Sequence, residues 1–159
     1  MLRKHIVSQN PTIAPQPEEM SIPDLATVLV TSESPEHPIE HICDGRRGRG
    51  STRWIAAELG DQTVVLAFDT PQTLHRITLE VEEPEVSRTQ ELTVAISHDG
   101  GQTYRECLRQ EFHFSPPNTT FEREHWSVPA EAVTNVRLWI RPDKGTTIGR
   151  ATITTLALQ

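Results

Sequence analysis

The sequence predicts an all-β domain, an antiparallel sandwich or barrel, and three observations carry that prediction. Apolar residues recur at every second position in one run after another. Turn residues punctuate those runs at short intervals, and no stretch keeps a helical period beyond one or two turns. Such alternation gives each strand one apolar and one polar face, as in a sheet packed on one side and wet on the other.

Residues 10–23 carry Pro11, Pro15, Pro17 and Pro23 among polar side chains, and prolines at that density block both helix and ladder hydrogen bonds. Residues 1–23 are therefore read as an N-terminal arm and linker, with Leu2 to Val7 as a short apolar piece at its start, and 24–159 as the domain. Val64, Leu66 and Phe68 form one strand face. Ile77, Leu79 and Val81 form the next, with Thr78, Glu80 and Glu82 pointing away. Leu92, Val94 and Ile96 repeat the device, Phe112 and Phe114 follow, and Val136, Leu138 and Ile140 alternate with Arg137, Trp139 and Arg141. Turns are expected at Leu59-Gly60-Asp61, Asp69-Thr70-Pro71, Asp99-Gly100-Gly101, Ser115-Pro116-Pro117-Asn118 and Pro142-Asp143-Lys144-Gly145.

Composition bounds the function. A chain of 159 residues supports one domain with a real core and is too short for two comfortable ones. An apolar fraction of 35% with 12 prolines suits a loop-rich β protein better than a helical bundle. With 22 acidic against 15 basic residues the net charge is −7, which excludes the global basic field of a nucleic-acid binder. No run of about 18 apolar residues exists to span a membrane. Arg3 and Lys4 have no apolar run behind them, so no signal peptide is expected. Cys43 and Cys107 make no disulfide framework and are read as reduced structural thiols, which points to a cytoplasmic protein.

Ala26 to Thr31, Ser32-Glu33-Ser34, His37-Pro38-Ile39-Glu40, Asp44-Gly45 and Thr52-Arg53-Trp54 stand in an order that resembles the opening of the coagulation-factor type C, or discoidin, domains. The resemblance continues through Val64 to Phe68, Leu74 to Leu79, Ser97 to Tyr104 and Val136-Arg137-Leu138, covering residues 25–158. It implies a galactose-binding-like jelly roll, an antiparallel β-sandwich that is non-catalytic and binds glycans, phospholipid headgroups or proteins through loops at one end. Fold alone does not choose among those ligands. The resemblance also implies a structural Ca²⁺ held by Asp44 and Thr52, although the late glutamate of such sites is missing and Thr155 stands nearest its position. Without a metal, Asp44-Gly45 reads as a tight turn capped by the aspartate.

Other residues invite chemistry. His37-Pro38-Ile39-Glu40-His41 matches H-x-x-E-H, the inverted zinc-protease pattern, yet Asp44-Gly45 leaves room for barely one helical turn, so a surface turn is the simpler reading. Ser97-His98-Asp99 has the letters of a triad, but neighbouring strand residues point to opposite faces. Arg46, Arg47 and Arg49, with Arg53 just after, form the one concentrated basic element, suited to phosphate or carboxylate, or else a solvated loop offset by acids such as Glu40 and Asp44. The acidic run Glu80, Glu82, Glu83, Glu85 and Glu91 reads as a solvated stretch. Trp139 falls on an outward face between Arg137 and Arg141, available for stacking or covered by arginine stems, the arm or a second copy. Trp54 and Trp126 are assigned to the core.

His37, Arg46, Arg47, Arg49 and Trp139 are thus the candidate ligand contacts, Asp44 and Thr52 the candidate calcium ligands, and no catalytic residue is named. The expected function is a non-catalytic binding module, with carbohydrate first because glycan binding dominates such domains. An aromatic fraction of 5% counts against sugar stacking. The alternative is an intracellular protein-interaction domain, favoured by the thiols, the Pro-rich arm and the lack of any export signal. No cofactor beyond calcium is implied, and the oligomeric state stays open.

Overall fold

The computed structural model describes residues 19–146 and 148–159. A single helical turn, α1 (Ile22–Leu25), leads into β1 (Ala26–Val30), and a 3₁₀ turn (Ile39–Cys43) precedes β2 (Trp54–Ile55). Then come β3 (Gln62–Glu82), β4 (Arg88–Ser97), β5 (Arg105–Phe114), β6 (Phe121–Arg141), β7 (Thr152–Ile153) and β8 (Thr155–Leu158).

The architecture rests on β3 and β6, each 21 residues long and each bent in the middle. Residues 62–67 of β3 pair with 135–140 of β6 inside a five-stranded antiparallel sheet ordered β1-β3-β6-β4-β5. Beyond register shifts between Ala67 and Arg76, the same strands pair again, Arg76 to Glu82 against Ser127 to Phe121, with β8 added along β3. Bulges let a strand bend and change sheets. The Asp69-Thr70-Pro71 segment is accordingly no hairpin turn but the bend inside β3, since both of its flanks run antiparallel to one partner strand.

The two halves close over one core. Val64, Leu66, Leu138 and Ile140 from one sheet and Ile77, Leu79 and Val81 from the other belong to a single buried cluster, the parity that alternation predicts. Trp54 is wholly buried in that cluster, its indole N–H donating to the Ser32 carbonyl at 3.0 Å. Trp126 packs against the core from a half-buried position, opposite Ile77.

Two sequence expectations change. The acidic run is not solvated throughout: Glu80, Glu83 and Glu91 are buried, each against a cation, because the loops fold back over these positions. The packed body also begins before Asp24. Met20 donates its amide to the Leu158 carbonyl at 2.8 Å, capping the β8 edge, and Ile22 is only 2% exposed in the core. Leu2 to Val7 and the first three prolines lie outside the described residues.

Burial of Ile22 sets a test of where the cooperative unit starts. Ile22→Ala lowers the unfolding free energy by about 2–4 kcal/mol in urea melts. A change under about 0.5 kcal/mol, the range of surface substitutions, would place this segment outside that unit.

Candidate functional site

Loops gather where β2 ends, where β3 passes to β4 and where β6 passes to β7, and between them lies a cavity of about 470 Å³. Its frame is Arg88, at the start of β4, whose side chain is nearly buried. Nε donates to Glu83 Oε1 at 2.8 Å, and Nη1 donates to the carbonyls of Pro142 and Arg150 at 2.9 and 2.8 Å. Glu83 in turn accepts the Glu85 amide at 3.2 Å. One guanidinium therefore ties the β3–β4 loop to the β6–β7 loop. Burial, with a smaller contribution from Arg53, pulls the Arg88 pKa down, while Glu83 and Asp143 oppose that shift.

Arg53 enters the cavity from the segment before β2, fixed by Nη1 donating to the Glu82 carbonyl at 2.8 Å. Ile55 and Thr152, from the β2–β7 pair, also line the cavity. The Thr152 backbone is clamped by Gln90, whose amide group donates to its carbonyl at 2.9 Å and accepts its N–H at 3.2 Å. The walls are aliphatic. Leu59, Val86 and Ile148 are 54%, 52% and 71% exposed, making three of the four exposed large hydrophobics among the described residues cavity-lining.

The candidates read from sequence fall elsewhere. Arg46, Arg47 and Arg49 ride a loop laid over the outer face of the smaller sheet and do not converge. Arg47 pairs with Glu19, Arg49 donates to Thr120 at 3.2 Å and lies 5.4 Å from the Phe121 ring centroid, and Arg46 takes part through its backbone. His37 sits with its ring 6.5 Å from that of His41. Trp139 is half-buried on the outer face of the larger sheet, between Thr63 and Thr93, with the Arg141 guanidinium 5.2 Å from its ring. None of these side chains lines the cavity.

The H-x-x-E-H match gathers no metal set, since His41 contacts the Arg53 carbonyl and no group of three or more His, Cys, Asp or Glu side chains converges among the described residues. Ser97, His98 and Asp99 sit at the far end, where Ser97 bonds to Asp99 at 2.7 Å while His98 turns to the Ala132 carbonyl. Hydrogen bonds from the Thr103 and Ser97 hydroxyls and the Thr103 amide hold Asp99 down at a pKa of about 2, a loop clamp rather than a catalytic acid.

The donor set around Asp44 does not fit calcium, which takes about six to eight oxygens. Asp44 brings the loop's lone carboxylate of this kind, and both its oxygens are taken, Oδ1 by the Arg46 amide at 2.9 Å and Oδ2 by the Thr52 hydroxyl. Thr155, where a late glutamate would stand, gives its hydroxyl to the Arg46 carbonyl at 3.3 Å. Protein groups fasten the rest of the loop. Glu80 accepts the Gly48 amide at 2.8 Å and Glu82 accepts the Gly50 amide at 3.0 Å, with both glycines at positive φ. Arg123 Nη2 lies 2.5 Å from the other Glu80 oxygen.

Burial alone would raise the Glu80 pKa, but the Gly48 amide, Arg123 and Thr155 outweigh it and hold it below the ordinary glutamate value. A depressed folded-state pKa stabilises above the unfolded value and loses that contribution as pH falls through the folded one.

Chain comparisons place this arrangement among known folds. No family model and no curated protein sequence matches the chain. Solved structures do. A pectin-binding carbohydrate-binding module is 20% identical over 85% of this chain and 90% of its own, with a TM-score of 0.62. The family 32 module of Clostridium perfringens NanJ, in complex with galactose, is 14% identical over 88% and 96%, with a TM-score of 0.61. The family 32 module of AlyQ, in complex with 4,5-unsaturated mannuronic acid, is 20% identical over 86% and 95%, with a TM-score of 0.59. The shared feature is the galactose-binding-like β-sandwich. The discoidin likeness thus holds at the level of this fold.

Two measurements check the site's frame. Arg88→Met leaves Glu83 buried without its cation and lowers the unfolding free energy by about 3–5 kcal/mol, and adding Glu83→Leu recovers part of that loss. Glu80→Gln costs about 1.5–3 kcal/mol at neutral pH. Its gap to the parent protein begins to narrow in urea melts once pH falls below the ordinary glutamate value of about 4.3, and closes as pH falls through the lower folded-state value. A gap independent of pH would remove charge from the role assigned to Glu80.

Proposed function

We propose that the chain is a non-catalytic carbohydrate-binding module whose ligand enters the cavity framed by Arg88. The observation that carries this reading is the convergence of guanidinium, carboxylate and aliphatic side chains from separate loops at one end of a galactose-binding-like sandwich. Arginine forks and carboxylates suit sugar hydroxyls, and the C–H faces of a pyranose suit aliphatic walls. Solved neighbours of the same fold are described as pectin-binding or as complexes with galactose and mannuronic acid, which supports the same ligand class.

A second reading has its own observation. Leu59, Val86 and Ile148 are exposed around the cavity, and no aromatic ring lines it among the described residues. A rim of that kind suits apolar side chains of a protein segment, the intracellular interaction role. Protein contacts from Thr52, Glu80 and Glu82 fasten the loop from Asp44 to Thr52 on either reading.

A thermal-shift panel separates these readings. A sugar at about ten times its Kd adds about 1.4 kcal/mol, a rise of roughly 3–6 °C for a domain this size. The expected result is such a rise with at least one neutral or acidic sugar and no change with Ca²⁺ or EDTA. A flat response across the sugars transfers the function to the protein-binding reading. A fall of more than about 3 °C with EDTA reinstates the metal.

A further inference from the structure

The cavity's charges are not equally free. Arg88 is spent: its donors go to Glu83 and to the Pro142 and Arg150 carbonyls. Glu83 is spent on Arg88 and the Glu85 amide. Asp143 turns to its own loop, accepting the Gly145 amide at 3.0 Å and the Thr146 hydroxyl at 3.2 Å. On the cationic side, Arg53 gives one nitrogen to the Glu82 carbonyl, and neither Arg53 nor Arg150 makes an ion pair among the described residues. Glu85, exposed on the rim, is the one cavity carboxylate with no such commitment among them.

What remains are two guanidiniums, Arg53 and Arg150, with no carboxylate partner among the described residues, in a cavity whose three arginines balance Glu83, Glu85 and Asp143 in a chain of net charge −7. Net charge therefore does not draw anions to this protein, and recognition in the cavity rests on the free N–H donors of these two arginines. Guanidinium groups bind planar carboxylates through paired N–H donors, and the flanking Leu59 and Ile148 offer apolar surface to a sugar ring.

We propose that this cavity selects acidic sugars, the carboxylate of a uronate residue lying between the guanidinium groups of Arg53 and Arg150, an inference that rests on the carbohydrate reading above. Neutral sugars of the same shape leave both guanidiniums unmatched. Sulfated sugars present a tetrahedral anion in place of a planar one. Arg53 and Arg150 act as specificity residues, whereas Arg88 holds the loops that carry them.

The test compares de-esterified oligogalacturonate with the same oligomer fully methyl-esterified, together with a neutral galactan and a sulfated galactan, by isothermal titration. Esterification removes the charge and keeps the ring, so it is expected to weaken binding by about 10- to 100-fold. Arg53→Gln and Arg150→Gln each weaken binding of the acid form by about 10-fold and that of the ester by less, so the acid-to-ester ratio falls, with melting temperatures within about 2 °C of the parent protein as the folding control. Equal binding of acid, ester and neutral galactan overturns the uronate inference and leaves the carbohydrate reading standing. Tighter binding of the sulfated galactan overturns it in favour of a tetrahedral anion. No binding by any of the four overturns both.

Discussion

The pairing of β3 with β6 organises the rest of the molecule. Two strands of 21 residues cannot run straight through a domain of this size, and the shifts between Ala67 and Arg76 turn them from one sheet into the other without breaking the ladder. Every other strand but the small β2–β7 pair and β5 attaches to this bent ribbon: β1 and β8 along β3, and β4 along β6. The bend lets the apolar faces of both halves meet in one core. It also sends the Arg88 end of β4, the end of β3 and the end of β6 to the same pole, where their loops share a cavity.

Buried acids then fasten the loops to the sheets. Glu80 lies on the outer face of the smaller sheet, where alternation puts it, yet it is only 1% exposed because the loop carrying Gly48 and Gly50 lies across it. Its charge is tolerable there because the Gly48 amide and Arg123 meet it. Glu83 repeats the solution at the cavity with Arg88, and Glu91 repeats it on the larger sheet, with Arg109 Nη1 at 3.3 Å and Lys144 Nζ at 3.5 Å. Loops that carry few apolar side chains are thereby fixed by charge and hydrogen bonds.

Strand positions were readable from the residues because side-chain alternation is local. Val64 and Leu66, Ile77 to Val81, Leu92 to Ile96 and Val136 to Ile140 all lie on the buried faces that their spacing indicates. The bend in β3 was not readable, since Asp69-Thr70-Pro71 is equally good chemistry for a hairpin turn and for a bulged crossing. Nor was the fate of the acidic run, because adjacent glutamates look alike in sequence and differ only in what folds over them.

The cavity was the least legible feature. Arg53 stood beside the basic stretch, but Arg46, Arg47 and Arg49 drew attention by clustering, and clustered residues on a loop diverge as readily as they converge. Arg88 and Arg150 are 62 positions apart and share no motif, so nothing local announces that one guanidinium holds the other's carbonyl. Local chemistry thus settled the β class and the strand faces, which depend on near neighbours in the chain, while the burial of Trp54 followed from the family resemblance. Which charges are paired, which are free and which meet around one cavity depended on contacts across dozens of residues, and those exist only once the bent β3–β6 ribbon has brought the loops together.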